Sequence, residues 1–212
     1  MIFLKFKLIE IFVIIFLFLF YLFGLIFLYN NKEFFKYSYL VIFFNFLVLV
    51  LFQKNRFNIK TFILFILLFF IFLFIEILGV KTGKIFGSYY YGDSLGLKFF
   101  NVPIIIGLNW IFLIYLTYCI ADIFKINNYQ KIFLGSLLML FYDISLERVA
   151  SYMNLWYWQE SYVPLLNYLS WFIISLTTHS LLRFLNLKIE NNLSLFIYLL
   201  QIIFLFIISL LY

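Results

Sequence analysis

The sequence predicts an all-α, polytopic integral membrane protein of about seven transmembrane helices, and three observations predict it. The 212 residues are 67% hydrophobic and 11% charged, whereas a soluble domain sits near half apolar and a quarter charged. Mean hydropathy is +1.12. The apolar residues fall in long unbroken runs with no period-2 alternation, which selects helices over barrel strands.

A spanning helix needs about 20 apolar residues, and seven runs qualify: Leu8–Leu28, Phe34–Phe52, Thr61–Leu78, Pro103–Ile123, Tyr129–Leu146, Pro164–Phe184 and Leu193–Tyr212. The first follows Lys5 and Lys7. It outruns a signal-peptide core of about 7–15 residues and lacks a small-residue cleavage site, so it reads as a retained helix. Nothing divides the chain, which reads as a single domain over residues 1–212. The two longest connections are Gly79–Val102 and Glu147–Val163. Seven spans put the termini on opposite sides. The N-terminal side holds Lys5, Lys7, Lys54, Arg56, Lys60, Lys125, Lys131, Arg183 and Lys188, and the other holds Lys32, Lys36, Lys81, Lys84, Lys98 and Arg148. The positive-inside bias therefore places the N-terminus in the cytoplasm of a cell-membrane protein and both long connections outside.

A helix–loop–helix unit echoes within the chain, over residues 61–123 and 129–184. Pro103 and Pro164 each precede a tryptophan by seven residues, Trp110 and Trp171, and each is expected in the first turn of its helix. Asn109 and Asn167 lie nearby. The preceding helices end in carboxylates, and the connections carry Tyr89-Tyr90-Tyr91 and Trp156-Tyr157-Trp158.

Several function classes drop out. The net charge of +6 fits loop bias and not nucleic-acid binding. Cys119 is the single cysteine and His179 the single histidine, so no metal-ligand cluster exists and neither metal nor cofactor is expected. The 33 phenylalanines suit lipid-facing positions.

Ionisable residues in or at the edge of a span are functional candidates. Glu76 sits near the outer end of the third run with no basic residue beside it. Asp143 and Glu147 are four apart on one helix face. Two close carboxyls can split their affinities for protons, as a general acid requires, unless Glu147 pairs with Arg148. Asp93 follows the three tyrosines in a Gly-rich stretch, where an ordinary turn role competes. Asp122 reads as interfacial, His179 as packing and Asn45 as interhelical glue. Trp110, Trp156, Trp158 and Trp171 all fall on the outer half, with Tyr89 and Tyr91. A belt would populate both interfaces, while aromatic faces beside carboxylates suit a carbocation. Asn109 and Asn167 could hydrogen-bond a water or hydroxyl.

From Glu76 to Trp171 the chain resembles the membrane-integral carotenoid biosynthesis family that contains carotenoid 1,2-hydratases. The segments TGKIFGSYYYGDSLGLKFFNVPIIIGLNW, YDISLERVASYMNLWYWQ and VPLLNYLSW carry the resemblance. Arg148 stands where the family often has proline. The resemblance implies cofactor-independent addition of water across the terminal C1=C2 bond of an acyclic carotenoid taken from the lipid bilayer. Glu76 and Asp143 are then the leading acid/base pair, with Glu147 and Asp93 behind them. Tyr89, Tyr91, Trp110, Trp156, Trp158 and Trp171 would form the aromatic lining, and Asn109 and Asn167 the polar contacts. A cyclase using the same protonation, and a non-catalytic transporter or lipid-binding protein, are the competing expectations.

Overall fold

The computed structural model describes residues 6–55 and 59–211, so Lys5, Arg56 and Tyr212, named above, lie outside the described residues. Seven α-helices follow in order: α1 Leu8–Asn30, α2 Ser38–Leu51, α3 Ile59–Thr82, α4 Ile105–Ile123, α5 Asn128–Glu147, α6 Leu165–Phe184 and α7 Ser194–Leu211. A 3₁₀ segment, Lys32–Tyr37, leads into α2. Six of these segments are long and apolar enough to cross a membrane. The remaining one, α5, has 20 residues, about 30 Å at 1.5 Å per residue. It carries Lys131, Asp143 and Glu147 and packs between α4 and α6.

The bundle is organised around α4, which is buried without a break from Asn109 to Ala121. A helix apolar on every side belongs in the middle of a bundle, and α4 touches α2, α3, α5, α6 and α7. The outer helices turn their phenylalanines outward, as Phe12, Phe16, Phe62, Phe70 and Phe74 do. Lipid accepts those faces as readily as protein does.

Where α4 meets α3 the backbones come close: a Cβ at Gly107 would stand 2.9 Å from the Phe69 carbonyl oxygen and 3.0 Å from its ring. Gly107→Leu is therefore expected to force α3 and α4 apart at a cost of about 1–3 kcal/mol. The measurement is a lowered thermal midpoint of the detergent-solubilised protein.

At the opposite end from the long connections, Asp122 accepts from Lys131 and Arg183, each at 2.7 Å. Arg183 also stacks on Tyr118 at 3.7 Å. His179 contacts Thr117 Oγ1 at 3.1 Å through Nε2, and its ring fills the space beside Gly135. Asn192 donates to Glu10 of α1 at 3.1 and 3.2 Å, which ties the start of α7 to the start of α1.

The long connections are not plain loops. Short strands form within them: β1 Tyr89–Tyr91, β2 Lys98–Phe99, β3 Val102–Pro103 and β4 Trp156–Trp158. β2 and β3 make a hairpin in which Lys98 faces Pro103. Pro103 thus belongs to this hairpin and not to the first turn of α4, whereas Pro164 caps α6 directly. β1 and β4 pair antiparallel, with Tyr89 opposite Trp158, Tyr90 opposite Tyr157 and Tyr91 opposite Trp156. This ladder joins the α3–α4 connection to the α5–α6 connection.

Candidate active site at the ladder end of the bundle

Each functional side chain is placed by a helix end or by the ladder. Alternation along β1 turns Tyr89 and Tyr91 inward and leaves Tyr90 exposed, stacked on Tyr157 at 5.3 Å. Both inward phenols donate to one oxygen of Glu76, Tyr89 at 2.5 Å and Tyr91 at 2.8 Å. Trp110 Nε1 donates to the other oxygen at 2.8 Å. Glu76 is 4% exposed, so three donors replace the water it gives up on burial. Burial first, and the Glu76 charge second, hold the Tyr89 and Tyr91 phenols well above their ordinary pKa. Both therefore keep their protons at neutral pH and serve as donors.

The α5 carboxyls are arranged differently. Trp158 Nε1 donates to Glu147 Oε2 at 2.9 Å, and Trp156 Nε1 donates to both Glu147 oxygens at 3.1 and 3.2 Å. Indoles, and not Arg148, are thus the partners of Glu147. Asn167 Nδ2 bridges the pair, donating to Asp143 Oδ2 at 2.9 Å and to Glu147 Oε1 at 3.3 Å. Asp143 is fully buried, and its Oδ1 has no hydrogen-bond partner among the described residues.

Glu76 and Glu147 line one cavity of about 30 Å³, with Tyr89, Tyr91, Asn109, Trp110, Trp156, Trp158, Asn167 and Trp171 around it. That volume accommodates a water molecule. Trp110 of α4 and Trp171 of α6 stack at 4.1 Å. Tyr89 packs on Trp158 at 5.1 Å. Asp143 stands behind Glu147 and does not line the cavity. Asp93 lies apart from it: it is exposed and pairs with Lys98 at 2.9 Å.

Two lining residues were not singled out from the sequence, Phe86 and Ile106. Phe86 folds over Gly79, where a Cβ would stand 2.6 Å from its ring. The glycine three residues past Glu76 is the signal that could have found it.

A second, larger cavity of about 370 Å³ adjoins the first and shares Ile106, Asn109 and Trp156 with it. Its walls are almost wholly apolar and come from α1, the Lys32–Tyr37 segment, α2, α4, α5 and α7. Phe23, Phe27 and Phe34 line it while remaining 55%, 55% and 43% exposed. The cavity therefore opens sideways, toward lipid.

The family described as carotenoid biosynthesis protein matches residues 36–212, which leaves out α1. No curated protein and no solved structure matches the chain.

Proposed function

The chain belongs to the carotenoid biosynthesis protein family, and from that premise we propose that it hydrates the acyclic end of a carotenoid. The observation that carries the reading is the pairing of cavities. A lipid-facing apolar cavity leads into a water-sized one walled by two carboxylates and six aromatic rings from the predicted set. An acyclic end group entering from the bilayer would meet one water and two carboxylates at that junction.

The chemistry runs as proton addition followed by capture. A carboxylic acid donates its proton to C2, and the π electrons of the C1=C2 bond form the new C–H bond. This leaves a tertiary cation at C1. The aromatic faces and a carboxylate stabilise that cation. Water attacks C1, and its surplus proton passes to a carboxylate and from there back to the acid across the cavity that Glu76 and Glu147 share, so the cycle closes and the net change is addition of one water.

Hydrogen bonding supports a division of roles. Both Glu76 oxygens already accept donors, which suits an anion facing the cation and receiving the proton of water. The unpartnered Oδ1 of Asp143 has room for a proton of its own. The Asp143–Glu147 pair is thus the proton source, with Glu147 its member on the cavity. Asn109 and Asn167 position the water. In this reading the protein lies in the cell membrane with its N-terminus in the cytoplasm and the small cavity at the outer face.

The small volume favours hydration over cyclisation, because cyclisation has to fold several carbons of the chain back on themselves beside the acid. Expression in a lycopene-producing host tests this by mass analysis of the pigments. Products heavier by one water are expected. Isomeric products would identify a cyclase, and an unchanged pigment profile would overturn both.

A further inference from the structure

The apolar cavity holds a polar spot that the proposed reaction does not use. Tyr21 of α1 and Gln201 of α7 meet there, with Asn45 of α2 bonded to Tyr21 from behind, and all are buried. Asn45 Nδ2 donates to Tyr21 Oη at 2.9 Å and to the Val41 carbonyl at 2.7 Å. Gln201 Nε2 donates to Tyr21 Oη at 3.1 Å. Both hydrogens of the Asn45 amide are thereby used, which fixes its orientation. Its Oδ1 and the Gln201 Oε1 have no partner among the described residues. The Tyr21 oxygen accepts twice, and among the described residues no acceptor takes its own hydrogen.

Tyr21 and Gln201 line the cavity. Unmet polar groups inside an apolar, membrane-embedded cavity are costly. A hydrocarbon in the cavity leaves them unmet, whereas a hydroxyl can donate to Gln201 Oε1 and accept from Tyr21 O–H. Turning the Gln201 amide end for end lets its carbonyl take the Tyr21 hydrogen and leaves an N–H at the open position, from which a hydroxyl accepts. Glu147 is the last residue of α5, while Gln201 lies well inside α7. A hydroxyl held there is away from the reacting bond.

We propose that Tyr21, Asn45 and Gln201 form a hydroxyl-binding site, so that the cavity selects an oxygenated isoprenoid over the plain hydrocarbon. The proposal rests on the reading of this cavity as the isoprenoid channel and adds which isoprenoid it favours.

The test is equilibrium binding to the detergent-solubilised full chain, followed by native mass spectrometry. The probes are farnesol and the same skeleton with hydrogen in place of the hydroxyl. The wild-type protein is expected to prefer farnesol by about tenfold, the scale of one matched buried hydrogen bond. Gln201→Leu and Tyr21→Phe are each expected to bring that ratio toward one while hydrocarbon binding persists or tightens. A wild-type ratio near one would mean that water fills the spot, and would overturn the proposal without need of a variant. A preference that survives both substitutions would overturn it too. No turnover enters the measurement, so failure of the hydratase reading would appear in the pigment assay and not here.

Discussion

Glu76→Gln is expected to cut hydrated carotenoid by about 10²–10⁴-fold, the range for loss of a positioned proton-transfer group, with the protein still inserted in the membrane. Glutamine keeps the volume of the side chain but not the charge, and its N–H₂ would replace one of the two oxygens, facing either the Tyr89 and Tyr91 phenols or the Trp110 indole N–H. Asp143→Asn is expected to give a loss of the same order, because asparagine can still face Asn167 but carries no transferable proton. Asp93→Asn should leave product within about twofold, since exposed pairs such as Asp93–Lys98 contribute little. The measurement is pigment per unit of membrane-inserted protein. Unchanged pigments in both Glu76→Gln and Asp143→Asn would remove these carboxyls from the chemistry and favour a transport or lipid-binding role.

The second large effect is expected at Gly92, which follows β1. Its N–H donates to the Leu155 carbonyl at 2.9 Å. A Cβ there would stand 2.3 Å from the Asn154 carbonyl oxygen and 2.2 Å from Asn154 Oδ1. The side-chain oxygen can swing aside, but the backbone oxygen cannot. Gly92→Ala must therefore push the connection carrying β4 away from β1, at a cost of about 1–3 kcal/mol. Tyr89 and Tyr91, which donate to Glu76, and Trp156 and Trp158, which donate to Glu147, come from these two strands, so activity should fall with the thermal midpoint in detergent. A variant with unchanged midpoint and unchanged product would show that the ladder does not position the carboxylates.

Most of the fold was legible because membrane spans are written in composition. Six helices and α5 lie where the apolar runs fall, with ends shifted by a few residues. The clustering of the candidate site was legible for a related reason. Polar and aromatic residues concentrated at one end of so apolar a chain have few structural reasons to be there, and all eight predicted contact residues line the small cavity. The ladder was not legible, because three-residue strands leave no period to detect and their pairing spans the α4 and α5 helices. Asp93 also misled: proximity to Tyr91 in sequence places it past the turn, against Lys98. Asn45 showed its role as glue, through Tyr21, but nothing in the sequence joins it to Gln201, which lies far along the chain.

The ladder also decides how molecules move. Its rungs connect the two halves of the site across the membrane surface, so parting them means breaking backbone hydrogen bonds together with the Tyr90–Tyr157 stack. The gap beside Phe23, Phe27 and Phe34 requires no such rupture. For the reaction proposed above, traffic of the polyene would therefore be lateral in both directions. In that reading the substrate would arrive from the bilayer and the product return to it without passing through water.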